Sequence, residues 1–235
     1  MKTTINQKIK TWFYLILSIG LVLSFTTGCE EDEDQETVID YDGNIYHVVK
    51  IGHQDWLVEN LKVTHYRNGN EVPNVTVDTS WEELAELERG AYCDYGNNPA
   101  NSNIYGRLYN FYAVRDSRGL APAGWHVATD ADWTTMTTFL GGEGVAGGKL
   151  KETGLTHWMT PNTDATNSSG FTALPGGFRW FSGVYDYNGL GGVWWTSTAE
   201  TDIDGTTRYL DYQAPDCMRD FNNMRHGASV RCVRD

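Results

Sequence analysis

The sequence predicts an α+β domain with two short helices, several short antiparallel strands and long irregular loops. Three observations carry that expectation. Short β-rich runs follow one another with Gly-rich turns between them. One segment, opening at Thr129, has a full set of helix start and stop signals. The 235 residues include 9 Trp and 13 Tyr, with 25 Gly but only 6 Pro, which suits a large aromatic core framed by loops.

The chain opens on a segment to be set apart from that domain. Lys2, Lys8 and Lys10 precede an apolar run from Trp12 to Leu23, and Ser24 to Gly28 are mostly small. A basic start, a dozen apolar residues and a small-residue exit form a secretory signal over residues 1–28. The run is too short for a spanning helix, which needs about 20 apolar residues. Gly28-Cys29 resembles a bacterial lipobox, with Thr26 where Leu is usual, and makes Cys29 the expected lipid-attachment site. Residues 29–37 then form a lipidated, acidic tether, because Glu30 to Glu36 is a charge run with nothing apolar to bury. An acidic run after the lipid Cys also resembles the sorting signal of Bacteroidetes-type lipoproteins. The expected location is therefore the outer membrane, anchored by lipid and facing the exterior.

Residues 38–235 read as one domain, long enough to bury an independent core and free of internal repeats. Val38–Tyr41 and Ile45–Ile51 flank Asp42-Gly43-Asn44, a hairpin signal in which Gly supplies the positive φ of a tight turn. Trp56–Val58 follows as a strand. Trp81, Leu84 and Leu87 recur at helical spacing and predict a short helix over 81–88. Thr129 can cap a second helix, with Asp132 three residues on, Trp133, Met136 and Leu140 on one face, and Gly141 as the stop. Strands are expected at 171–174, 177–181, 193–197, 207–212 and 229–234. Adjacent Trp194 and Trp195 must face opposite sides of their strand, so at least one is core.

Composition and spacing exclude several functions. The 18 basic against 31 acidic residues give a net charge of −13, and removal of residues 1–28 takes away three Lys and no acid to leave −16. No basic face exists to displace counterions, so nucleic acid is not an expected partner. The six His show neither H-x-H nor H-E-x-x-H spacing, Cys-x-x-Cys is absent, and no Gly-x-Ser-x-Gly elbow occurs. No catalytic residue and no metal ligand is nominated. Export favours disulfides, yet only Cys93, Cys217 and Cys232 remain beyond Cys29, enough for one bridge. A hairpin turning at Asn222–His226 would pair Cys217 with Cys232. Cys93–Cys232 is the rival, and Cys93 is otherwise a buried small apolar residue.

A series of motifs runs through the domain: Ile51 to Lys62, Gly90-Ala91-Tyr92-Cys93, Tyr105 to Asn110, Gly124-Trp125-His126-Val127 and Gly147 to Lys151. It continues through Gly170 to Arg179, Trp194 to Thr198 and Ser229 to Asp235. In this order they resemble the Fibrobacter succinogenes major paralogous domain, a family of bacterial surface and secreted modules, with Leu120-Ala121-Pro122 where Leu-Cys-Pro is common. More distantly, Gly-Trp-His-Val, Asp132-Trp133, Trp-Thr-Ser-Thr and Val-Arg-Cys-Val are similar to the plan of formylglycine-generating enzymes, whose fold is related to C-type lectins. That resemblance implies a C-type-lectin-like domain. It also implies that the loop 180–192 forms the ligand surface, with Trp180, Tyr185, Asp186, Tyr187 and Asn188 as binding residues. There, ring faces would stack on sugar C–H groups while Asp and Asn accept hydroxyl protons.

The oxidase chemistry of the distant family needs two closely spaced reactive Cys, and Cys217 stands alone. The Glu-Pro-Asn and Trp-Asn-Asp signatures of calcium-dependent lectins are missing, so Asp202, Asp204, Asp211, Asp216 and Asp220 read as solvated surface and no cofactor is expected. The expectation is a lipid-anchored, non-catalytic domain for an extracellular polysaccharide or glycan. The alternatives are a structural or adhesive subunit of a surface assembly and, less favoured, an oxidase.

Overall fold

The computed structural model describes residues 35–235, which form one compact unit. The predicted signal segment, Cys29 and most of the acidic tether lie outside the described residues.

The chain enters through the expected hairpin. β1 (Thr37–Ile39) and β2 (Ile45–Ile51) pair antiparallel around Gly43, whose φ of 82° the turn requires. β3 (Gln54–Leu57) follows, and then α1 (Asp78–Glu86), which begins earlier than predicted. Trp81 anchors α1 in the core at 1% exposure, whereas Leu87, expected on the same face, is 55% exposed beyond the helix end. β4 (Tyr92–Cys93), α2 (Pro99–Tyr105), β5 (Leu108–Tyr109) and α3 (Phe111–Val114) come next. These are too short to leave a periodic signal.

β6 (Trp125–Val127) leads into α4 (Asp130–Phe139), where the predicted cap is in place: the Thr129 hydroxyl accepts from the Asp132 N–H, and the Asp132 carboxylate accepts from the Thr129 N–H. α5 (Glu143–Leu150) packs beside it. Five α-helices thus lie among the described residues, where the sequence predicts two. The predicted strand at 171–174 is irregular. Thr172 has a φ of 52°, and the carbonyls of Phe171 and Thr172 accept from the Arg231 guanidinium instead of from a neighbouring strand.

The remainder is β: β7 (Gly176–Arg179), β8 (Tyr185–Asn188), β9 (Gly191–Ala199), β10 (Asp204–Asp211), β11 (Met218–Asn223), β12 (Ser229–Val230) and β13 (Cys232–Arg234). One sheet has the order β1-β2-β3-β13-β6, so the last strand lies between early ones. A second runs β11-β10-β9-β7-β8, with β12 joined to β9, and β4 and β5 pair as a short two-stranded sheet. The predicted strand at 229–234 is therefore two strands, and the chain crosses from one sheet to the other at Arg231. An α+β architecture with long irregular loops is what the molecule has.

Both Trp194 and Trp195 are fully buried, on opposite faces of β9. Trp195 joins Tyr46, Tyr109, Phe111 and Trp125 in one core cluster. Trp194 joins Trp56, Trp133 and Phe171 in another, with Trp133 lying 5.2 Å from Trp56 and 5.5 Å from Phe171 between ring centroids. Aromatic burial on this scale supplies much of the favourable free energy of folding.

The expected Cys217–Cys232 bridge is not formed, and neither is Cys93–Cys232: all three Cys are free and buried. The stretch after Cys217 pairs with β10 and not with β13, and the two sulfurs belong to different core clusters. Burial pushes the Cys93 thiol up to about 11 and Cys217 up to about 12, and raises Cys232 further. None is a thiolate near neutral pH.

Candidate functional site

An aromatic groove of ≈ 260 Å³ lies on one face of the second sheet. Strand register builds it. Val193 on β9 stands opposite Tyr209 on β10, and Tyr209 stands opposite Met218 on β11, so the three form a row across the sheet. The two-residue period places Asp220 and Asn222 on the same face of β11. It sends Arg219 to the other face, where its guanidinium binds Asp130 and Glu200. The Asn222 side chain is steadied by donating to the Thr207 hydroxyl at 2.9 Å.

Phe178 on β7, Trp180 just beyond it and Tyr187 on β8 complete the lining. Phe178 and Trp180 meet edge to face at 4.7 Å, and Tyr187 lies 5.8 Å from Phe178 and 6.0 Å from Tyr209. Regular alternation would turn Tyr187 away, because its neighbour Asp186 pairs with Phe178. A φ of 65° breaks the alternation and brings the ring round to the groove. A bulky residue in the left-handed region costs on the order of 1–3 kcal/mol and persists only where its surroundings impose it. Burial, with the Asp211 carboxylate that accepts the Tyr209 hydroxyl at 2.5 Å, raises that phenol far above its ordinary range. Tyr209 is therefore a fixed neutral platform.

Of the five binding residues expected in the loop 180–192, the groove contains Trp180 and Tyr187. Tyr185 packs elsewhere, donating its hydroxyl to Asn97 at 2.8 Å, with its ring against Tyr95 and the Arg179 guanidinium. Asp186 is exposed and accepts the Tyr187 N–H, while Asn188 donates to the Pro175 carbonyl. Sequence reasoning missed Phe178, Tyr209, Asp220 and Asn222. The available signal was the alternation Met218-x-Asp220-x-Asn222, which marks a strand where a turn and a bridged Cys are predicted.

A hollow of ≈ 230 Å³ beside Tyr41, His65 and Arg67 is a weaker candidate. Its polar groups are already engaged: Arg67 donates to the carbonyls of Ala121 and Trp125, and His65 bonds Asp42. Among the described residues no three His, Cys, Asp or Glu side chains gather as a metal site, and no helix is long and apolar enough to cross a membrane. The acids considered for calcium are dispersed. Asp211 holds Tyr209, Asp204 bonds Thr201, and Asp220 lines the groove.

An α+β domain of two large sheets and one short strand pair, with a ring-lined groove across the six-stranded sheet, is the class that fold and site define. The chain matches the Fibrobacter succinogenes major domain over residues 49–234 and belongs to that family. No curated protein and no solved structure matches it.

Proposed function

We propose that this chain is a lipid-anchored protein of the outer membrane whose domain binds an extracellular polysaccharide or cell-surface glycan without catalysis. The observation that carries this reading is the convergence of four rings, Phe178, Trp180, Tyr187 and Tyr209, with Asp220 and Asn222 in one groove. Ring faces stack on the C–H surfaces of sugars, and the carboxylate and amide take their hydroxyls. The C-type-lectin-like fold belongs to this proposal, on the order of the motifs and the long loop-rich stretches. The lipid anchor rests on the basic, apolar and small-residue segments that lead to Cys29.

A glycan array, with and without calcium, tests the binding reading. Wild type is expected to bind a sugar series that Tyr187→Gly does not, calcium making no difference. That variant removes the ring and relieves the left-handed backbone, so it is expected to fold. A blank array on folded wild type favours the second reading, a structural or adhesive subunit, which the exposed edge strand β11 also suits. An oxidase is disfavoured by three buried, protonated thiols. Palmitate-analogue labelling that survives Cys29→Ala would refute the anchor.

A further inference from the structure

The groove lining draws on every strand of the path β11-β10-β9-β7-β8, from Met218 and Asp220 at one edge to Tyr187 at the other. It therefore crosses the strands instead of following one. The rings draw it together, since Tyr187 on β8 lies 6.0 Å from Tyr209 on β10, and Tyr209 stands directly opposite Met218. Its volume of ≈ 260 Å³ is nevertheless below the about 300–1,000 Å³ of sites that enclose a small molecule. A small, open groove of that kind touches one flank of something larger than itself.

Charge narrows the occupant. Asp220 is the one carboxyl side chain in the lining, no Lys or Arg joins it there, and the chain as a whole carries −13. The arginines of the contributing strands are committed away from the groove. Arg179 lies over Trp81 and binds Asp78, Arg208 binds Asp130 and Glu143, and Arg219 binds Asp130 and Glu200. A uronate or sulfate would find no cation and would face a carboxylate at a distance too short for salt to screen fully.

We infer that the groove holds an internal stretch of an uncharged polysaccharide, laid across the strands, and rejects anionic polymers. This rests on the glycan reading and adds the charge of the polymer and the mode of its contact. Affinity electrophoresis of the full chain tests it at low salt. The gels would contain a soluble β-glucan, a galactomannan or a xylan, with polygalacturonate and dextran sulfate as the anionic set.

At least one neutral polymer is expected to retard the protein, and neither anionic one. Calorimetry with oligosaccharides of the retained polymer is expected to show affinity rising at least about tenfold, about 1.4 kcal/mol, from monosaccharide to tetrasaccharide. Asp220→Lys is expected to admit polygalacturonate. Retardation by an anionic polymer, or a monosaccharide bound as tightly as the tetrasaccharide, would overturn this inference. If Tyr187→Gly abolished that binding, the glycan reading would still stand. Folded protein that no polymer retards overturns both.

Discussion

His226 shows how a single side chain ties the groove to solution conditions. It is 6% exposed behind the aromatic wall, stacked parallel on Phe181 at 5.7 Å and edge-on to Trp180 at 5.0 Å. Neither ring nitrogen meets a protein partner among the described residues. Burial pushes the imidazole down to about 4, with Asp204 opposing weakly. Between about pH 6.5 and 4 the unfolded chain binds a proton that the folded chain refuses. Stability therefore falls as pH drops through that window and levels off below it. At 1.36 kcal/mol per pK unit the contribution is on the order of 3 kcal/mol. Urea unfolding at pH 7 and pH 4.5 should show His226→Phe losing less stability on acidification than wild type does, by most of that amount. An unchanged acid slope would place the sensitive group elsewhere. At this scale the sequence exposed the rings but not their use. Trp180 and Tyr187 stood out in a Gly-rich loop, whereas Phe178 and Tyr209 looked like ordinary strand residues until register set them beside Asp220 and Asn222.

The helices α4 and α5 show which elements are legible and why. α4 announces itself locally, because Thr129 and Asp132 close a reciprocal cap that needs no other part of the chain. α5 is the opposite case. A helix containing Gly144, Gly147 and Gly148 contradicts propensity, each Gly costing about 1 kcal/mol against Ala. Packing requires two of them: a Cβ on Gly147 would stand 1.9 Å from the Asp216 carbonyl oxygen, and one on Gly148 would stand 2.5 Å from that of Asp164. A requirement set by distant backbone leaves no periodic trace. The cap can be weighed directly. Thr129→Ala should cost about 1 kcal/mol in chemical denaturation. Asp132→Asn should cost more, since its carboxylate also engages His126 at 3.1 Å and the Gln54 amide at 3.1 Å. Burial works against ionisation of Asp132, but the Thr129 donors and His126 outweigh it and hold the carboxyl below its ordinary range. The Thr129→Ala loss should therefore shrink as pH falls and the carboxylate protonates. A loss independent of pH would mean that Asp132 does not share the cap.

The whole molecule closes through its last strand. β13 sits between β3 and β6, so the sheet that begins the chain is completed only by residues at its end. Arg231, 1% exposed at the crossover, secures this closure without a carboxylate in contact. It donates to the Leu57 carbonyl at 2.8 Å, the Phe171 carbonyl at 2.9 Å and the Asn60 amide oxygen at 2.6 Å, with its guanidinium 4.1 Å from the centre of the Phe171 ring. One planar cation thus joins β3, the irregular stretch at 171–172 and the final strand. Each buried acceptor left without a donor costs about 1–3 kcal/mol. Arg231→Met orphans the carbonyls of Leu57 and Phe171, so it should lower the unfolding free energy by several kcal/mol in guanidinium titrations. Arg231→Lys should recover only part of that loss, because a point ammonium cannot span donors arranged as a fork. Deleting residues 231–235 removes both the tie and the strand, and should abolish the cooperative transition altogether. A sharp transition surviving that deletion would mean that the second sheet and its groove fold on their own, which the shared cores around Trp194 and Trp195 argue against.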